Sequence, residues 1–138
     1  MIDSELEVEN VKFIYPDGDG IKQDTLGIHM VYSKLKLHNN VRFIGPGVAN
    51  KSYITKVRQG TDMKEINGAF IAAHMNSEIE SIDTTFEGGR GTLGGCVHLS
   101  GDSQADFTGG SFKYCAAMQG GAIYASNHVY LKINNVLF

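Results

Sequence analysis

The chain has 138 residues, enough for one domain with a continuous core, and at 42% hydrophobic and 20% charged residues it is composed to fold. A formal net charge of −3 gives no electrostatic footprint for nucleic acid or an anionic membrane, so neither is expected as a partner. No stretch approaches the roughly 20 apolar residues of a membrane-spanning helix, and the acidic start Met1-Ile2-Asp3-Ser4-Glu5 lacks the basic and apolar regions of a signal peptide.

Apolar alternation with a period of two recurs throughout, while no window holds a helical stripe for long, so the expected elements are strands. The first is the phrase Leu6-Glu7-Val8-Glu9-Asn10-Val11-Lys12-Phe13, followed by the turn cluster Pro16-Asp17-Gly18-Asp19-Gly20. Leu35-Lys36-Leu37-His38-Asn39-Asn40-Val41-Arg42-Phe43 repeats the phrase with one extra residue and runs into Gly45-Pro46-Gly47. Asn50-Lys51-Ser52 is a glycosylation sequon, relevant in a secretory compartment. Thr61 to Ile66 is expected as a single helical turn. Phe13, Phe43 and Phe86 lie 30 and then 43 residues apart, so a loop or an extra coil is expected before the third phrase.

From Asn67 onward the spacing becomes regular. The signatures Asn67-Gly68-Ala69-Phe70-Ile71, Gly94-Gly95-Cys96-Val97-His98 and Gly120-Gly121-Ala122-Ile123-Tyr124 place Gly68, Gly95 and Gly121 at intervals of 27 and 26. Phe86, Phe112 and Phe138 are spaced by 26 and 26. A fixed period of this length marks a solenoid, in which each coil hides its apolar face against the next. Successive strand residues face opposite sides. Phe70/Ala72, Val97/Leu99 and Ile123/Ala125 are therefore expected inside, and Ile71, His98 and Tyr124 outside as a mixed ladder suited to protein contact. A second strand in each coil should bury Ile79/Ser81, Ala105/Phe107 and Leu131/Ile133. Asp83, Gly109 and Asn135, each three residues before its phenylalanine, suit a left-handed turn. About five coils result, irregular over 1–66 and regular over 67–138, within one domain.

Phe112-Lys113-Tyr114-Cys115-Ala116-Ala117-Met118-Gln119-Gly120-Gly121-Ala122-Ile123 resembles the repeat of chlamydial polymorphic outer membrane proteins, which couples Phe-x-x-Asn to Gly-Gly-Ala-(Ile/Leu/Val). Similar repeats occur in large surface proteins of protists. The resemblance covers residues 67 to 138, with Gly89 and Cys115 standing where the pattern has asparagine. It implies an all-β, right-handed single-stranded parallel β-helix of the pectin-lyase-like class. By analogy it also implies an extracellular or cell-surface protein with an adhesive or structural role. Leu131 to Phe138 is apolar and uncapped, so either this coil stacks on another chain or the sequence continues.

Polysaccharide lyases and hydrolases share that architecture, which makes carbohydrate the alternative partner. A hydrolase needs two carboxylates roughly 5 to 9.5 Å apart across one bond. The candidate pairs are Glu78/Glu80 and Asp102/Asp106, and solvated outer-face carboxylates are the plainer reading of both. His74, Asp102 and His128 follow their glycines by six or seven residues, so a stacked metal site is conceivable if their side chains converge. Surface turns are the plainer expectation, and no cofactor is expected. Gly89-Arg90-Gly91-Thr92-Leu93-Gly94 matches Gly-x-Gly-x-x-Gly, but a strand pattern follows it instead of the helix that phosphate binding requires. Cys96 and Cys115 fit no metal motif and make no disulfide framework; one bridge between them is the alternative, and buried free thiols are the plainer expectation. The resulting expectation is a non-enzymatic structural or adhesive module. Its partners would be protein, further coils or subunits, at the C-terminal end.

Overall fold

The computed structural model describes residues 1–15, 27–45 and 69–138. Gly68, the Thr61–Ile66 turn, the Asn50 sequon and the Pro16–Gly20 cluster lie outside the described residues. Among the described residues every regular element is a strand. The first coil carries β1 (Glu5–Glu9) and β2 (Lys12–Ile14), and the second β3 (Ile28–Val31), β4 (Lys34–His38) and β5 (Arg42–Ile44). In the third are β6 (Ile71–His74), β7 (Glu78–Ile82), β8 (Thr85–Glu87) and β9 (Arg90–Leu93). The fourth holds β10 (Val97–Ser100), β11 (Gln104–Thr108), β12 (Ser111–Lys113) and β13 (Ala116–Gln119), and the fifth β14 (Ile123–Ser126) and β15 (Tyr130–Asn134).

Each strand pairs in parallel with its counterpart one coil away. The longest sheet runs β1-β4-β7-β11-β15, beside β14-β10-β6-β3, β12-β8-β5-β2 and β13-β9. The protein is thus a parallel β-solenoid of five rungs, which is four full turns from β1 to β15. In the regular part the step is 26 residues, as Glu78, Gln104 and Tyr130 show by lying in register. Phe43 pairs directly with Phe86, so these two phenylalanines sit on adjacent coils with no coil stacked between them.

The five phenylalanines form one continuous stack along the axis. Ring centroids from Phe13 through Phe43, Phe86 and Phe112 to Phe138 are 4.7, 5.1, 4.6 and 5.3 Å apart, with planes within 6–11° of parallel. Beside it, Leu35, Leu37, Ile79, Ala105 and Phe107 fill the inner face of the long sheet. Ser81 is in register with Phe107, and that small neighbour leaves room for Phe107 to meet Phe86 and Phe112 edge-on. Asp83, Gly109 and Asn135 adopt φ of 53°, 68° and 53°, the left-handed turns expected of them. The extra residue of the second phrase is absorbed in that corner, where Asn39 and Asn40 are both left-handed. Within the fourth coil's corner Gly110 has no room for a side chain: a Cβ there would lie 2.0 Å from the Thr84 carbonyl oxygen.

Several expectations fail, among them that Ala72 points inward, since it is in register with the outward-facing His98. Ile71 is fully buried and in register with Val97, so it belongs to the core and not to an outward ladder. The glycine signature at Gly68 runs one residue out of phase with the strands, because 26 residues, not 27, separate Ile71 from Val97. Phe70 takes the corner position instead and packs on Tyr15 and Phe43. Cys96 and Cys115 are not free thiols: they form a disulfide, with Cα atoms 5.6 Å apart. The link ties the start of β10 to the corner before β13 within one coil, which sequence spacing did not suggest.

A buried serine column was also missed. Ser4, Ser33 and Ser77 each direct their backbone N–H to the hydroxyl oxygen of the serine one coil on, at 3.3 Å. The hydroxyls of Ser33, Ser77 and Ser103 donate in turn to carbonyls of Val31, His74 and Ser100. Buried polar groups are tolerated when satisfied in this way. The 26-residue interval from Ser77 to Ser103 was the available signal, and Val129 ends the column.

Candidate functional site

Three surfaces hold the residues that sequence reasoning singled out. The first is the outer face of the long sheet, where polar side chains alternate with the buried ones. Its middle row runs Glu7, Lys36, Glu80, Asp106, Lys132, one residue from each rung. Charges of opposite sign meet across most steps. Lys34 contacts Glu78 at 3.0 Å, Lys36 contacts Glu5 at 2.7 Å, and Lys132 contacts Asp106 at 3.2 Å. His38 lies 3.5 Å from Glu80 and 3.9 Å from Glu7. Lys36 holds the Glu5 carboxyl below its usual value, by a hydrogen bond first and by charge second.

The one like-charged step is Glu80 beside Asp106. These two carboxylates, with Glu78, Gln104 and Tyr130, line an open groove of about 210 Å³. The carboxylates that come together are therefore Glu80 and Asp106 from neighbouring rungs, and not the sequence pair Asp102/Asp106. Asp102 sits in the left-handed turn before β11, at φ 59°. Glu78 and Glu80 do share the face, as alternation along a strand requires.

The second surface is the outer face of the sheet β14-β10-β6-β3. His29, Ala72, His98 and Tyr124 are in register across it. His74, two residues beyond Ala72, leans into the space the alanine leaves. Its ring is 5.2 Å from His29 and 5.0 Å from His98, and His98 is 5.4 Å from Tyr124. The four rings form one row of edge contacts, and His74 Nδ1 meets Ser100 Oγ. Partial burial pushes the His74 and His98 imidazoles below their ordinary value, and a neighbouring imidazole adds to it, His29 for the former and His74 for the latter. His98 and Tyr124 are thus on an outward ladder as expected, joined by His29 and His74 in place of Ile71. The conceivable grouping of His74 with Asp102 and His128 does not form: among the described residues no cluster of three His, Cys, Asp or Glu can hold a metal ion.

The glycine-rich Gly89–Gly94 segment contains strand β9 (Arg90–Leu93), and Arg90 is buried within it. Gly95 is required for a close approach, since a Cβ there would fall 2.5 Å from the Ala116 nitrogen. Gly94 and Gly120 take left-handed φ of 70° and 64° at the same point of successive coils. Gly121 follows in the equivalent corner without such crowding.

The third surface is the pair of solenoid ends. At one end Ile2, Leu6, Val11 and Ile14 are exposed around β1 and β2. At the other, Tyr130, Ile133, Leu137 and Phe138 are exposed around β15, Phe138 with 69% of its surface open. Among the described residues β1 and β15 are the outermost strands of the long sheet. Among the described residues no helix is long and apolar enough to cross a membrane. Comparison with family models, curated proteins and solved structures finds no match to the chain.

Proposed function

We propose that this chain is a non-enzymatic β-solenoid module of a surface or filamentous assembly, acting through protein–protein contacts. The carrying observation is the in-register parallel stack, which holds the His29, His74, His98 and Tyr124 rings as one row on the outer face of a sheet. A fixed face of aromatic and imidazole rings favours a protein partner. The outer-face carboxylates lend support, because Glu78 and Asp106 are each neutralised by a lysine instead of standing free for acid–base work. The Cys96–Cys115 disulfide suits an oxidising compartment, in keeping with an extracellular or cell-surface place. The likeness of Gly120–Ile123 and its neighbours to polymorphic outer membrane repeats supports an adhesive role by analogy.

A second reading is a carbohydrate-binding or polysaccharide-degrading solenoid. The groove that brings Glu80 and Asp106 together beneath Tyr130 favours it. Incubation with neutral and uronate-containing polysaccharides separates the two. The assembly reading expects no new reducing ends and no unsaturated products. Turnover that disappears in Asp106→Asn would establish the second reading and sink the first.

A further inference from the structure

The ring row on the outer face of β14-β10-β6-β3 lies on a sheet without fixed charge. None of its four strands, Ile28–Val31, Ile71–His74, Val97–Ser100 and Ile123–Ser126, contains Lys, Arg, Asp or Glu. Three of the five histidines in the chain nevertheless gather there, with His74 at the centre. Ala72 is in register with His98, and its small side chain leaves the gap that His74 enters from two residues along the strand. The His74 Nδ1 is held by Ser100 Oγ. A hydroxyl can accept the Nδ1 hydrogen, which leaves the lone pair of Nε2 free. The geometry points to a divalent transition-metal site, of which zinc is the type, where His74 and His98 each give one ring nitrogen to the ion.

Distance, donor type and orientation agree on this pair. Two imidazoles on one tetrahedral zinc, with Zn–N bonds of about 2.0–2.1 Å, set their ring centres about 5 Å apart. The His74 and His98 centroids are 5.0 Å apart, with planes at 89°. His98 need only turn about its last side-chain bond, a soft torsion, to aim a nitrogen at the ion. Imidazole suits zinc, copper and nickel, whereas Mg2+ and Ca2+ seek oxygen ligands that these strands lack as carboxylates. A metal-bound histidine is commonly oriented by a hydrogen bond at its other ring nitrogen, and Ser100 supplies one to His74. His29, 5.2 Å from His74 on the other side, is exposed, while His74 and His98 are half-buried and lose less freedom on binding. Among the described residues no third His, Cys, Asp or Glu completes a cluster, so two protein nitrogens hold the ion. Its other positions go to water or to a donor from outside the chain. The site goes beyond the assembly reading and stands without it.

Titration of the chain with zinc chloride, followed by calorimetry and by proton–nitrogen NMR of the imidazoles, tests the site. One ion per chain is expected, with the ring signals of His74 and His98 shifting. The rival is His38, which stands between Glu7 and Glu80 on the long sheet, and its signals should stay in place. His74→Gln and His98→Gln should each weaken zinc by more than about ten-fold, and Ser100→Ala by about ten-fold, the usual loss when an orienting partner is removed. His29→Gln and His38→Gln should leave the affinity unchanged, and Mg2+ should give no binding heat. Urea midpoints establish that each variant is folded, and the NMR shifts of the unaltered chain decide the matter without any variant. Absence of saturable zinc binding overturns the inference. So does binding that survives both His74→Gln and His98→Gln, or that is lost in His29→Gln or His38→Gln. Each of these failures leaves the assembly reading in place, since a protein contact through the ring row asks nothing of a metal.

Discussion

Phe86 and Phe138 occupy equivalent positions, yet their surroundings differ completely. Phe86 is sealed between Phe43 and Phe112 with Phe107 against its edge, while Phe138 has a neighbour on one face. Truncation of a sealed aromatic loses both transfer energy and packing. Phe86→Ala should therefore lower unfolding stability by about 3–5 kcal/mol, and Phe138→Ala by under about 1 kcal/mol in the monomer, as urea midpoints would show. The spacing of 26 made this column readable in advance, because each ring repeats at one place on successive coils. The imidazole row was not readable. Its member at the third rung is Ala72 by register, and His74 enters from two residues away, a side-chain excursion that spacing does not encode. That row makes a prediction of its own. Burial lowers the folded pKa of His74 and His98 below about 6.5, so protons bind the unfolded chain more tightly. Stability should be level above pH 7 and fall as pH drops through about 6.5 toward the folded values, then level again. Urea midpoints between pH 8 and pH 5 would show the decline, and His98→Gln should flatten it.

Individual coils owe their shape to corners as much as to strands. The disulfide closes a short loop inside the fourth coil, with Cys96 and Cys115 separated by 19 residues. A constraint of that size on the unfolded chain corresponds to about 3 kcal/mol in the loop-entropy picture. Reduction should lower the urea midpoint accordingly, and Cys96→Ala with Cys115→Ala should reproduce the loss without reductant. An unchanged midpoint after confirmed reduction would show that packing alone holds the corner. The sequence left the pairing undecided because 19 is not a multiple of the repeat, so the two cysteines do not stack as the phenylalanines do. They meet across the width of one coil, through a turn geometry that Gly95 makes possible. Ile71 was misplaced for a related reason: glycines mark corners, and corners slide by a residue while strand register does not. The alternation within Glu78–Ile82 and Gln104–Thr108, by contrast, was readable residue by residue, down to the buried Ser81.

The molecule as a whole is a one-dimensional stack in which each rung bonds to its two neighbours. Its stability should therefore be highest in the middle and decay outward, as in other repeat architectures. Amide hydrogen exchange should be slowest in β7, β8, β10 and β11, and faster by at least ten-fold in β1, β2 and β15, whose outer edges are open. Uniform protection from end to end would contradict this. The sequence period disclosed the stack, since a repeat of 26 admits few other architectures. It did not disclose the surfaces, because what faces solvent is under no obligation to repeat.

The direct pairing of Phe43 with Phe86 carries one more lesson. Forty-three residues there advance the solenoid by the same single step that 26 residues achieve between Phe86 and Phe112. The height of the rod is thus counted in backbone layers and is indifferent to how much chain each layer consumes. Surplus polypeptide can be spliced between Ile44 and Ile71 without altering the pitch, which makes that junction the natural place to graft a new loop onto an unchanged frame.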